Sequence, residues 1–207
     1  MDNSTNLFFT NTFSDLSSDE LVQRVRNKLS DFRFAHCVRT SYMAKELAAT
    51  NHVDQERAAV AGFVHDYAKE VAPEDYRRAI IEEGLDRNLL EWNRSIWHGI
   101  VGANYVEQEL HIHDQAILDA IRHHTTGSPD MSELDKVIFM ADYIEPGRKF
   151  PGVEVARERT ALNLDAGVAY ELQQTLLYLI EGRERVFPLT VAAYNKLGIK
   201  TEENFFE

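Results

Sequence analysis

Apolar residues in this chain recur at three- and four-residue spacing from about residue 17 onward, and strict alternation hardly occurs. That period puts them on one face of a helix, whereas a half-buried strand needs a period of two. The 5 prolines and 10 glycines are spaced widely enough to leave room for helices of ordinary length. The chain is therefore predicted to be all-α, and its 207 residues suffice for one domain with a sizeable core.

Local start signals place the helices. Ser17 followed by Glu20 is a capping box that opens a first helix through about Ser30. Further helices are expected over Phe34–Thr50, over Gln55–Lys69 behind Asp54, and from Pro73 to near Gly84. Others follow over Ile96–Leu110, Asp114–His124, Ser132–Tyr143, Val153–Asn163 and Ala166–Glu181, with Pro188 starting a short last one. Residues 1–16 are expected to form a flexible tail and 17–200 the domain. The stretches TTGSPD at 125–130 and EPGRKFPG at 145–152 are turn-rich loops that follow apolar helices, where a site is readily built.

Composition removes several function classes. With 22 basic and 34 acidic residues the formal charge is −12, which repels nucleic-acid backbone. No apolar run reaches the roughly 18 residues of a membrane-spanning helix. The N-terminus carries neither the basic residues nor the apolar stretch of a targeting peptide. A single cysteine, Cys37, fits a reducing cytoplasm. Cys37, Trp97 and Tyr143 are expected in the core, and His52, His111 and His113 on the surface.

Five of the eight histidines and two aspartates form an ordered series. His36 lies early in the second helix. His65 and Asp66 leave the apolar run of AGFVHDYAKE, His98 begins a later helix, His123 and His124 end another, and Asp142 follows the apolar stretch of KVIFMADYIEP. A buried carboxylate without a partner costs several kcal/mol and tends to take up a proton. Taken singly, each residue has a plain reading as a hydrogen-bonded core group, a cap or an ion-pair partner. Taken together, they are best explained by a shared cation, for which imidazole and carboxylate suit zinc, iron, manganese or cobalt.

The pieces RFAH at 33–36, AGFVHDYAKE at 61–70, WHGIVGA at 97–103, IRHHTTG at 121–127 and ADYIEPGRKFPGV at 141–153 carry a family resemblance. Over about residues 21–198 the chain resembles the HD-domain metal-dependent phosphohydrolases, and among them the YqeK-type symmetrical bis(5'-nucleosyl)-tetraphosphatases. The resemblance implies a helical HD bundle with a buried dinuclear metal site. Iron is the foremost candidate, with manganese, cobalt or zinc as alternatives. It implies His36, His65, Asp66 and Asp142 as ligands of one metal, with Asp66 bridging to a second completed by His98 and His124. His123 stands where the family commonly has an aromatic or other residue, so it either lines the pocket or replaces His124 as ligand; the HTTG pattern favours His124.

The implied reaction is hydrolysis of diadenosine tetraphosphate to two ADP by a metal-activated hydroxide. Asp66 and Lys69 are the catalytic candidates. Lys69, one helical turn beyond Asp66, is assigned to the phosphate or leaving oxygen, against a plain helix-end lysine. Thr125, Thr126 and Gly127 are expected to contact phosphate, against ordinary turn chemistry, and Arg148 to supply a phosphate fork, against a surface arginine. The expected partner is a small dinucleoside polyphosphate with ADP as product; nucleic acid and membrane are not, and a homodimer is left open. The rival readings are an HD phosphohydrolase of nucleoside mono- or diphosphates, oxygen chemistry on the same di-iron scaffold, and a nucleotide sensor whose metal is structural.

Overall fold

The computed structural model describes residues 9–199. Among them are eleven α-helices and no strand, as the spacing predicts. In chain order these are α1 (Ser18–Lys28), α2 (Asp31–Thr50), α3 (Gln55–Val64), α4 (Pro73–Glu82), α5 (Arg94–Ile100), α6 (Gly102–Leu110), α7 (Gln115–His123), α8 (Glu133–Ile144), α9 (Val153–Leu162), α10 (Leu164–Glu181) and α11 (Pro188–Ala193). A 3₁₀ turn at Arg87–Glu91 precedes α5, and a π turn at Tyr194–Gly198 follows α11.

The starts are set by local chemistry. Ser17 and Glu20 form the expected capping box, and Ser132 and Asp135 form another ahead of α8. Ser30, Asp54, Asp114 and Asn163 each accept a hydrogen bond from a first-turn amide, satisfying donors that a helix leaves orphaned. Pro73 and Pro188 sit in first turns, where no amide is missed.

Three boundaries differ from the sequence reading. The third helix stops at Val64 rather than Lys69, because the chain tightens there into three-residue turns: Tyr67 N donates to Val64 O at 3.0 Å and Lys69 N to Asp66 O at 2.9 Å. The expected helix over 96–110 breaks at Val101 into α5 and α6. At this bend a Cβ on Gly102 would meet Ala68 Cβ at 3.3 Å, so the close approach relies on a small residue. The tail expectation is corrected for residues 9–16. Phe9, Phe13 and Leu16 are buried, Phe9 packs on Phe63 with ring centroids 5.2 Å apart, and Ser14 Oγ donates to Leu110 O at 2.7 Å. Apolar side chains that find a core face are held there by the area they remove from water. Residues 1–8 and 200 lie outside the described residues.

Packing is tightest between α2 and α3. Ala44, Ala48, Ala58 and Ala61 are fully buried, and a Cβ on Gly62 would stand 3.0 Å from both Ala44 Cβ and Thr40 O. With α7 and α8 these two helices hold the main core. A second cluster, built on Tyr76, Ile80, Leu89, Trp97 and Val101, packs under α4 and α5 and fixes the orientation of the helix that carries His98.

Candidate metal centre

Five helices deliver the polar cluster. His36 projects from α2 into the core, His65 and Asp66 from the turn that ends α3, His98 from α5, His124 from the end of α7, and Asp142 from α8. His36, His65, Asp66, His98 and His124 are each only 1–2% exposed, so water does not solvate them; the Asp142 side chain keeps 19% and marks the open side.

Asp66 stands at the centre. Its Oδ2 lies 3.7 Å from His36 Nε2 and 3.6 Å from His65 Nε2, and its Oδ1 lies 3.4 Å from His98 Nε2 and 3.6 Å from His124 Nε2. Asp142 Oδ1 completes the first half, 3.0 Å from His36 Nε2 and 3.6 Å from His65 Nε2. Three sets of potential ligands therefore have their donor atoms within 4.8 Å of one another: His36–His65–Asp66, His65–His124–Asp142 and Asp66–His98–His124.

Each imidazole is fixed from behind. His65 Nδ1 faces Gly62 O at 2.8 Å, His98 Nδ1 faces Arg94 O at 2.9 Å, and His124 Nδ1 faces Ile121 O at 2.7 Å. A carbonyl oxygen only accepts, so Nδ1 carries the proton and the neutral ring presents a bare Nε2. His36 Nδ1 likewise faces a carboxylate, Glu145 Oε1, at 3.2 Å. Yet the Nε2 atoms meet one another, His36 with His65 at 3.2 Å and His98 with His124 at 3.0 Å, lone pair against lone pair. Asp66 Oδ1 is buried beside them and accepts no hydrogen bond. Inward lone pairs around an orphaned carboxylate oxygen are what a cation requires, and these residues fit one.

For His98 and His124 the electrostatics agree. Burial and the Lys69 ammonium push His98 well below the usual imidazole range, and burial lowers His124, so both stay neutral and able to ligate. Burial alone would raise Asp66 and Asp142, but His65, Lys69, His36 and Arg148 around them outweigh it and hold both well below the ordinary carboxylate value. For His65, burial acts downward and the two aspartates more than reverse it.

The mouth is basic. Lys69 Nζ lies 2.7 Å from His98 Nε2 and 3.5 Å from Asp66 Oδ1, and Arg33 Nη1 lies 2.7 Å from Asp66 Oδ2. Arg148 Nη2 pairs with Asp142 Oδ1 while its Nε donates to Asp142 O at 2.9 Å.

The model of the HD-domain family matches residues 33–147, which spans all of these groups except Arg148, one residue beyond it. The chain is 38% identical to a symmetrical bis(5'-nucleosyl)-tetraphosphatase of Bacillus subtilis over 88% of its own length and 98% of that protein's. The same-named protein of Halalkalibacterium halodurans is 37% identical over 88% and 97%. The chain belongs to the HD-domain family, in its symmetrical bis(5'-nucleosyl)-tetraphosphatase branch. The crystal structure of a Clostridium acetobutylicum protein, described as an HD superfamily hydrolase involved in NAD metabolism, superposes with a TM-score of 0.84 at 33% identity, covering 88% of this chain and 97% of that one.

Within this HD domain the structure brings together His36, His65, Asp66, His98, His124, Asp142 and Lys69, with Thr125 at the rim, its Oγ1 2.9 Å from His98 Nε2. Arg148 joins them through Asp142. The other three expected substrate contacts make hydrogen bonds within the protein. His123 Nδ1 lies 3.0 Å from Asp135 Oδ2, tying α7 to the cap of α8 instead of lining the cluster. Thr126 is buried and donates to Gly127 O at 2.9 Å. Gly127 spends its amide on His123 O at 2.8 Å; its φ of +64° and its close neighbours Ala193 and Leu172 give it a turn role. Arg33, Arg39 and Glu145 were missed by the sequence reading. Arg33 and Arg39 lie three residues either side of His36, on its helix face, and Glu145 lies three beyond Asp142, so the spacing held the signal.

Proposed function

We propose that this HD domain hydrolyses diadenosine tetraphosphate at its centre, releasing two molecules of ADP, on a pair of metal ions held by His36, His65, Asp66, Asp142, His98 and His124. The observation that carries the reading is the ring of four inward Nε2 atoms closed around the two oxygens of Asp66. Asp66 turns one oxygen to each half of the ring, which suits a bridging ligand between two cations better than a single centre. Iron is the foremost candidate; manganese, cobalt and zinc accept the same donors. When bound, such ions polarise a phosphoryl oxygen and lower the pKa of a water toward about 7.

The chain's own residues supply charge and position. A tetraphosphate chain carries several negative charges, and this protein carries −12, so local cations are needed to admit it. Lys69 stands over the Asp66–His98 side, where it can neutralise the leaving phosphate oxygen. Thr125 Oγ1 lies within reach of a phosphate bound next to His98. Arg148 holds Asp142 in place and keeps its guanidinium at the mouth, and Arg33 does the same for Asp66. ADP is a stable leaving group that needs little protonation, so positioning and electrostatic stabilisation account for most of the rate.

The sensor reading, with a structural metal, is not favoured, because the ligand ring opens to solvent at Asp142 and Lys69, whereas structural sites are closed. A cytoplasmic location is part of the proposal and rests on the free, buried Cys37. Metal-loaded protein incubated with diadenosine tetraphosphate is expected to give ADP as sole product. ATP with AMP would show asymmetric cleavage and overturn the reading. Asp66→Ala is expected to lose turnover and bound metal while keeping its helical circular dichroism.

A further inference from the structure

Next to Thr125 the surface folds in to form a cleft of about 510 Å³, larger than three other cavities of about 450, 420 and 430 Å³ among the described residues. Its position decides its interest. Thr125 and the buried Thr126 both line it, and Thr125 Oγ1 touches His98 Nε2 at 2.9 Å, so the cleft adjoins the His98 side of the candidate metal centre. Those three cavities, among the described residues, hold none of the cluster's residues.

The walls are aromatic and only partly buried. Trp92, in the turn before α5, and Phe187, just before α11, meet edge to face at 4.8 Å, and Tyr178 of α10, 74% exposed, stands on the same cleft. Arg185 lays its guanidinium over the Trp92 ring at 4.3 Å and anchors its Nη1 on Glu91 O at 2.7 Å. A guanidinium over the half-buried indole shows that this side of the ring accommodates a planar cation, and guanidinium planes also stack well on heterocyclic bases. Glu91 and Glu184 also line the cleft, so it repels a polyphosphate chain and leaves an uncharged group as the part that fits.

Resting on the proposed function, we propose that this cleft holds one nucleoside end of the dinucleoside polyphosphate, its base stacked among Trp92, Phe187 and Arg185 and its phosphate chain leaving past Thr125 toward the metal centre. The volume suits one nucleoside and not a whole dinucleoside tetraphosphate. The arrangement gives the enzyme a reason to prefer nucleoside-capped chains: part of the binding energy comes from the cap, away from the reacting phosphorus.

The test uses adenosine, which carries no phosphate, titrated into metal-loaded protein while tryptophan emission is followed. The chain has 2 tryptophans, and Trp97 is 1% exposed, so quenching reports on Trp92. Saturable quenching is expected, and its loss in Trp92→Phe, which keeps an aromatic platform and still binds adenosine by calorimetry. Trp92→Ala and Tyr178→Ala are expected to raise KM for diadenosine tetraphosphate about ten- to a hundredfold, with kcat changed by no more than about twofold. Tyr178 is too exposed for its loss to unfold the bundle. Absence of quenching, or an unchanged KM in both variants, overturns the assignment. Saturable quenching by a protein that cleaves no dinucleoside tetraphosphate would support the cleft and overturn the function; cleavage without quenching would do the reverse.

Discussion

His36 and Glu145 meet at 3.2 Å, Nδ1 to Oε1, and the pairing sets which nitrogen of His36 faces Asp142. Glu145 is held in turn by Arg39, at 2.6 and 3.1 Å, and by the Gly147 amide at 2.5 Å. Burial alone would raise its pKa, but these donors keep it below the ordinary value of 4.5, so the carboxylate stays charged behind the ring. A carboxylate on the far side of a ligating imidazole fixes its orientation and makes Nε2 a better donor. Glu145→Gln is therefore expected to weaken metal binding about 10- to 100-fold. Activity should return in excess metal, because Glu145 acts only through His36. Metal titration followed by turnover checks this; lost activity at full occupancy would refute it.

Lys69 is expected to behave differently. Its ammonium lies 2.7 Å from His98 Nε2 without being a metal ligand. Lys69→Met should keep metal content and lower kcat by about 10²–10³, the usual loss when one group that stabilises developing negative charge is removed. Elemental analysis beside steady-state kinetics separates this outcome from metal loss.

The candidate ligands were legible because they are anomalies: imidazoles and carboxylates inside apolar helical runs, such as Asp66 after AGFV and Asp142 after the run ending at Ala141. Helix starts were legible because a cap such as Ser17 or Asp54 acts within one turn. The end of α3 was not, since the turn at His65–Asp66 is decided by what packs across it. The HTTG pattern already favoured His124 over His123 as the candidate ligand, and the fold adds where His123 goes. Neighbouring residues on a helix point about 100° apart, so only one could join the ring, and the Asp135 that claims His123 comes from α8. The burial of Phe9 and Phe13 depended on a partner, Phe63 and its surroundings, far along the chain.

Gly62 couples the tightest packing to the site. A Cβ there would press on Ala44 Cβ and the Thr40 carbonyl at 3.0 Å, and its own carbonyl orients His65 through Nδ1 at 2.8 Å. Backbone cannot yield as a flexible side chain can. Gly62→Ala is expected to cost about 1–3 kcal/mol of stability, the range for overpacking a core, and to lower metal retention because His65 shifts with α3. Urea unfolding and metal analysis of the same preparation read both effects, and a variant as stable as the parent would show that α2 and α3 have slack.

Glu171 gives the protein a pH dependence of its own. It lies on α10, 6% exposed, with Oε2 unpartnered, and burial followed by the nearby Asp142 charge raises its pKa well above 4.5 despite Arg148. An acid raised in the folded state keeps its proton where the unfolded chain has released it. Above pH 4.5 the native form therefore binds more protons, and this group's contribution to stability falls as pH rises. Glu171→Gln is shaped like the protonated acid and cannot ionise. It is expected to match the parent in unfolding free energy at pH 5 and to exceed it by about 1–3 kcal/mol at pH 8, the usual cost of a buried polar group left without a partner. Unfolding curves at the two pH values decide it, and parallel behaviour of parent and variant would mean that Glu171 is ionised and solvated in the native protein.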